Sequence, residues 1–280
     1  MTVRRIGLAY NPTNDDAVEL AERAAGWARQ HGLGEWAAQA GDLDALLAEL
    51  PTTDVLLVLG GDGTFLRAVR GVAVVDVPIL GLNLGKIGFL SKAEAHELQT
   101  VLDRLLAGAY RIEERMSLVG TIVRGGSTMG ESFHALNDIA IARGSLARVV
   151  RLDVTIDASH LATFIADGLV VASPTGSTGY SFSAGGPILD PTSRNLVVTP
   201  IAGYLSAIRS VVAGPTQTVR CRIVDAHEAL VSIDGREDLR LEVGDIVEVR
   251  AMDRPIRFVE PEGALPFWDL LRTKVALLPS

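Results

Sequence analysis

Cysteine is almost absent from this chain. Cys221 is the sole thiol in 280 residues, so neither an intrachain disulfide nor a multi-cysteine metal site can form, and a reducing, cytoplasmic setting fits best. It stands before Arg222 and Ile223 in an alternating stretch and reads as a small packing residue. Aromatic side chains are also scarce, 5% against 48% hydrophobic overall, so the core must come from Val, Leu, Ile and Ala, the palette of an α/β protein. Basic residues are outnumbered. The formal net charge of -8 argues against a nucleic-acid binder, because a phosphate backbone is held by dense Lys and Arg. No segment approaches the ~20 apolar residues needed to span a bilayer, and Met1 to Tyr10 shows no signal-peptide pattern. The five histidines lack metal-ligand spacing, and Trp27, Trp36 and Trp268 read as packing residues.

What is present has two textures. Up to about Leu90, apolar strand-like runs alternate with helix-like stretches, the pattern of a parallel sheet with crossover helices. Arg5 to Tyr10, Asp54 to Leu59 and Pro78 to Asn83 are the strands; Ala17 to His31, a stretch starting near Phe65, and Ala93 to Leu106 have helical spacing. After about Tyr110 the chain turns to β-type alternation: Leu118 to Val123, Ile139 to Ala142, Leu152 to Ile156, Leu161 to Ile165, Val219 to Val224, Ala229 to Ile233 and Ile246 to Arg250. Leu196 to Ser210 is expected to include a helix, Asp234-Gly235 a hairpin turn, and Phe267 to Lys274 a short amphipathic helix.

Four constellations carry chemistry. Gly60-Gly61-Asp62-Gly63-Thr64 follows an apolar strand and precedes a helix, at the sheet edge where open α/β folds bind ligands. Glycines let the main chain approach a phosphate, and a helix N-terminus adds a favourable dipole. A carboxylate there repels phosphate unless it has a task. Two tasks fit phosphoryl transfer: orienting and deprotonating an attacking hydroxyl, or helping to hold Mg²⁺. The second constellation, Asp167 to Gly186, runs from a strand into a loop dense in hydroxyls and glycines, with the Tyr180 ring available for stacking. The third, Asn137-Asp138, can bracket a ribose diol or an adenine edge. The fourth, Asn83 to Leu90, places Asn83 and Lys86 on a glycine-rich turn after a strand.

In this order and spacing the four pieces resemble the NAD kinase family, over nearly the whole chain from the Ile6 strand to Phe267-Trp268-Asp269-Leu270-Leu271. The glycine-aspartate loop alone is shared with diacylglycerol and sphingosine kinases and phosphofructokinases; the combination is specific. The resemblance implies a Rossmann-like parallel α/β domain over residues 1–108 and a mainly β, sandwich-like NAD-binding domain over 109–255. It also implies that the tail, 256–280, packs back on the first. It makes Asp62 the proton acceptor for the 2'-hydroxyl of NAD, with Gly60, Gly61, Gly63, Thr64 and Arg67 at the nucleotides. Asn137, Asp138, Arg148 and Asp167 match NAD-binding positions, and Thr178, Gly179, Tyr180, Ser181, Phe182 and Ser183 match the loop that completes the pocket. ATP or inorganic polyphosphate as donor, NAD as acceptor, Mg²⁺ on the phosphates, no dedicated protein metal site, and a homodimer or homotetramer follow from the same resemblance. Departures are Asp138 for Glu, Gly179 for Ala, Ile165 at an often basic position, Arg236 for Gln, and no Pro-His pair in Pro200 to Arg209. The rivals are a lipid or sugar kinase using the same phosphate loop, and a dinucleotide sensor without turnover.

Overall fold

The computed structural model describes residues 3–85, 88–144, 148–204 and 208–276. The chain divides into two units, Met1–Glu114 with Ile256–Ser280, and Arg115–Pro255. The first unit opens with β1 (Arg5–Tyr10), α1 (Asp15–Gln30), β2 (Gly34–Gln39), α2 (Leu43–Glu49), β3 (Val55–Leu59), α3 (Asp62–Val74) and β4 (Ile79–Asn83). It continues through the two-residue β5 (Ala93–Glu94), α4 (Leu98–Ala107) and β6 (Tyr110–Arg115). β6 thus belongs to the first unit's sheet, past the expected 108/109 boundary. The elements start where local chemistry starts them. Asn14 caps α1 by accepting the Ala17 amide at 3.3 Å, and Asp15 and Asp16 lie in its first turn, where negative charge suits the helix dipole. β3 and β4 are buried at every position, which explains their continuous apolar sequences, since a parallel strand is covered on both faces. Leu20, Ala24 and Trp27 of α1 and Leu98, Val101 and Leu105 of α4 pack on Leu8, Leu57 and Leu80.

The second unit holds β7 (Leu118–Arg124), β8 (Ser127–Ala135), β9 (Asp138–Arg143), β10 (Val150–Ile156), β11 (Ser159–Ala166) and β12 (Gly168–Ala172). Then come the one-turn α5 (Tyr180–Ser183), β13 (Leu196–Ile201), β14 (Val211–Ala213), β15 (Val219–Asp225), β16 (Ala229–Ile233), β17 (Glu237–Leu241) and β18 (Ile246–Ala251). They make two six-stranded sheets, β11-β10-β15-β18-β7-β8 and β14-β13-β12-β9-β16-β17. Alternate residues of both, among them Leu152, Cys221 and Val247 from one and Ile141, Leu169 and Val231 from the other, form a common core. Cys221 is fully buried there, its thiol pushed far up by that burial, as the packing role requires. β12 is buried on both faces: Val170 and Ala172 turn away from the sandwich core and pack with Ala140, Val197, Leu189 and Ile201. The expected helix in 196–210 is instead a strand, β13, at Leu196–Ile201; 205–207 lie outside the described residues.

The chain then returns to the first unit with β19 (Ile256–Pro261) and α6 (Phe267–Ala276). The first unit's sheet, among the described residues, has the order β2-β1-β3-β4-β19-β6, with β5 beside β4. In α6, Phe267, Leu270 and Lys274 share one face: Phe267 meets the Phe89 ring at 6.2 Å, Lys274 Nζ lies 4.8 Å above that ring, and Leu270 is buried.

Candidate active site

β3 ends at Leu59, Gly60 and Gly61 turn the chain, and Asp62 is the first residue of α3, three positions earlier than the expected start near Phe65. Gly60 has φ 154°, and a Cβ there would press into Thr64, so the turn needs a residue without a side chain. The Gly61 carbonyl accepts the Thr64 and Phe65 amides at 2.9 and 3.1 Å, which starts the helix. The Asp62 carboxylate is held by main chain: the Phe89 amide donates to Oδ2 at 3.0 Å and the Leu90 amide to Oδ1 at 3.3 Å. Gly88 makes this possible, because a Cβ at that position would overlap the carboxylate. Asn83, at the end of β4, is 4% exposed, and its Nδ2 has no hydrogen-bond partner among the described residues. Its Oδ1 lies 3.8 Å from where a Gly61 Cβ would be. Asn83 therefore offers an unused donor beside the glycine loop. Gly63 and Arg67 are exposed on α3, Thr64 is buried, and Lys86 lies outside the described residues.

In the second unit, Asn137, Asp138, Ala140, Gly179, Tyr180, Ser232, Asp234 and Gly235 line a pocket of about 270 Å³. The loop after β12 is locked on its floor. Ser173 Oγ donates to the Leu136 carbonyl at 2.5 Å, the Ser173 amide donates to the Asn137 carbonyl at 2.8 Å, and a Cβ at Gly176 would overlap that carbonyl. Asn137 Oδ1 is buried without a hydrogen-bond partner among the described residues. Asp138 is 5% exposed. Burial, then the Asp234 carboxylate, push its carboxyl up to about 7 against the Tyr180 amide that stabilises the anion. Burial raises Asp234 too, opposed by the amides of Leu136, Asn137 and Asp138 and by Arg236, whose guanidinium lies 3.8 Å away.

The structure thus gathers Asn137, Asp138, Gly179 and Tyr180 around one pocket, and Asp62 with the glycine loop and Asn83 around another point. Other expected residues fall elsewhere. Ser181 is fully buried, its hydroxyl 3.2 Å from Thr199 Oγ1. Thr178 spends its hydroxyl on the Thr175 carbonyl at 3.3 Å, and Phe182 and Ser183 face outward from α5. Asp167 pairs with Arg143 at 2.8 Å, and Arg148 is exposed ahead of β10. Sequence reasoning missed Ser232 and Asp234 as pocket residues. The alternation of β16 placed Ser232 on the face opposite Val231 and Ile233, and that was the available signal.

A parallel sheet with a glycine-aspartate turn at a strand's carboxyl end, in one chain with an antiparallel sandwich bearing a pocket lined by Asn137, Asp138 and Tyr180, is an arrangement suited to a nucleotide-dependent phosphotransferase. Two family models match: ATP-NAD kinase N-terminal domain over residues 42–110 and ATP-NAD kinase C-terminal domain over residues 136–261. The NAD kinase of Syntrophotalea carbinolica is 37% identical over 98% of each chain, and that of Moorella thermoacetica is 44% identical over 81% of this chain and 72% of its own. Among solved structures, yeast NADH kinase complexed with NADH superposes with TM-score 0.83 at 25% identity, covering 100% of this chain and 89% of that one. The NAD kinase from Archaeoglobus fulgidus in complex with ATP gives 0.79 at 22% identity, covering 98% and 100%. The chain belongs to the NAD kinase family, and its activity is that of an NAD kinase. The lipid-kinase, sugar-kinase and non-catalytic readings are not favoured.

Proposed function

We propose that the protein transfers the γ-phosphoryl group of ATP to the 2'-hydroxyl of the adenosine ribose of NAD, giving NADP and ADP. One observation carries the assignment of the acceptor-side catalytic group. The Asp62 carboxylate sits at the first turn of α3 and is aimed by two backbone amides. A carboxylate has about four lone-pair sites; two amides use two, and a ribose hydroxyl can take another. The 2'-hydroxyl gives its proton to Asp62 as its oxygen attacks the γ-phosphorus. The bond from that phosphorus to the β,γ-bridging oxygen breaks, and ADP leaves with the electron pair. Gly61 and Gly63, with the α3 N-terminus, offer amides to the phosphates; Gly60, whose amide donates to the Leu82 carbonyl at 3.0 Å, supplies the turn's backbone angle, and Asn83 Nδ2 supplies one more donor. In the second unit Asn137 Oδ1 and Asp138 accept from the nucleoside, and the half-exposed Tyr180 ring stacks on a base. Thr64 supports the loop from within, and Arg67 offers charge from the exposed side of α3. Arg148 and Asp167 are the remaining side chains for dinucleotide contact, while Thr178 and Ser181, whose hydroxyls bond the Thr175 carbonyl and the Thr199 hydroxyl, hold the loop that presents Tyr180.

Among the described residues no three His, Cys, Asp or Glu side chains converge as a metal cage. A Mg²⁺ ion arriving on ATP would have Asp62 as its nearby carboxylate and would neutralise phosphate charge there. A homodimer or homotetramer is supported by Tyr204, Val212 and Phe182, which expose 67%, 48% and 47% of their surface on the second unit.

The test is NADP formation by purified protein with Mg²⁺, NAD and either ATP or inorganic polyphosphate, beside Asp62→Asn. We expect NADP with ATP and a fall in kcat of at least about 10²-fold in the variant, the range of a positioned general base. Wild-type rates retained by Asp62→Asn would remove Asp62 from the chemistry.

A further inference from the structure

The hairpin turn between β16 and β17 does more than reverse the chain. Asp234 occupies it with φ 51°, in the left-handed region, and is only 8% exposed. Its Oδ1 accepts the amides of Asn137 at 2.8 Å and Asp138 at 3.1 Å, and its Oδ2 accepts the amide of Leu136 at 3.0 Å. Its own amide donates to the Asp138 carbonyl at 3.0 Å. Three consecutive amides converge on one carboxylate, where β9 begins and the ladder does not yet occupy them. A turn alone is served by Asn or Gly at such a backbone angle. A carboxylate buried beside the Asp138 carboxylate is unfavourable: burial raises both groups, and the Asp234 charge raises Asp138 further. The arrangement gains a main chain that cannot rotate at the two residues whose side chains face the pocket.

We propose that Asp234 is a positioning residue for dinucleotide binding, fixing the Asn137-Asp138 main chain so that both side chains meet the NAD nucleoside from the pocket they line. This rests on the reading that Asn137 and Asp138 touch NAD. Arg236, 3.8 Å from Asp234 Oδ2, offsets part of the paired negative charge.

The test compares Asp234→Asn, Asn137→Ala and wild type by steady-state kinetics, with KM measured for NAD and for ATP, and with thermal melting. Asn fits the left-handed backbone, but its amide nitrogen faces a donor and forfeits one or two of the three bonds. For a charge-assisted bond the loss corresponds to about a tenfold rise or more. The expected result is a rise of that size in the NAD KM with the ATP KM unchanged. A raised NAD KM in Asn137→Ala beside a wild-type NAD KM in Asp234→Asn, even with a lower Tm, overturns the proposal alone. An unchanged NAD KM in Asn137→Ala overturns the pocket reading and the proposal together. Should Asp234→Asn fail to fold, Asp234→Gly keeps the backbone angle and is read the same way.

Discussion

Gly88 contributes no side chain, and that is its function. The Asp62 carboxylate occupies the space a Cβ would fill, and the amides of Phe89 and Leu90 reach it only because of that vacancy. Gly88→Ala should displace the carboxylate by an ångström or so, and a misplacement of that size can lower rate about 10²-fold. Steady-state kinetics should therefore show kcat reduced on that scale with the melting curve little changed. Asp138 makes a pH prediction with a definite sign. Its carboxyl titrates at about 7 in the folded protein against 3.8 in the reference state, so between those values the folded state holds more protons. Stability must fall as pH rises through that window, by at most roughly 4 kcal/mol. Asp138→Asn should flatten the dependence of Tm on pH between 5 and 8, and a variant with the wild-type slope would contradict the assignment. Of the candidate residues, those with strand-loop grammar were legible: Asp62, Asn83, Asn137 and Asp138 all follow or precede a recognisable strand. Asp234 was not, because its partner amides lie 96 to 98 residues away and only folding brings them together. Ser181 illustrates the reverse failure. A hydroxyl-rich loop announces a supply of donors, but which of them turn inward to Thr199 is decided by packing on β13.

Elements differ in how plainly their sequences announce them. β3 and β4 are continuous apolar runs, readable because both faces are covered. β2 was missed because Gly34–Gln39, at the sheet edge, has a weak apolar pattern and takes its shape from pairing with β1. β8 was missed because Ser127–Ala135 is an exposed, mostly polar edge strand. The expected helix in 196–210 lost to β13 because the run inserts between β12 and β14; Pro200 is tolerated there since β14 reaches only Leu196–Val198. The α6 face carries its own prediction. Leu270 is 2% exposed, and its truncation to Ala should destabilise the first unit by about 2–5 kcal/mol, measurable by urea denaturation. A second concerns β19. Its Glu260 is 5% exposed and pairs with the buried Lys92 and with Arg111. Burial would raise the Glu260 carboxyl, but these cations and the hydrogen bond with Glu113 hold it down to about 2. That contribution is present above the ordinary value of 4.5 and lost as pH falls toward 2. Removing the buried cation with Lys92→Met leaves Glu260, among the described residues, with only the largely exposed Arg111 opposite it, at a cost of up to about 3–5 kcal/mol, seen as an unfolding midpoint shifted to higher pH.

The two units are not sequential beads. The first is assembled from Met1–Glu114 and Ile256–Ser280, and the returning strand β19 lies between β4 and β6 rather than at an edge. The second, Arg115–Pro255, is continuous and owns a sandwich core. A protein ending at Pro255 should therefore keep the β-rich circular dichroism of the sandwich while losing the first unit's cooperative transition and all NADP formation. Light scattering on the full chain, with Tyr204→Arg beside it, checks the homo-oligomer: the substitution should lower the assembly state if that exposed ring lies in a subunit contact.

The interior place of β19 also sets a clock on biosynthesis. A ribosome delivers Asp62 early, but the gap between β4 and β6 stays open until Pro261 has cleared the exit tunnel. The sandwich can form while translation proceeds, and the glycine-aspartate loop gains its finished sheet only afterwards. A stalled or prematurely terminated product would then be inert toward NAD, so phosphorylating capacity appears in the cell only with chains whose message was read past that strand.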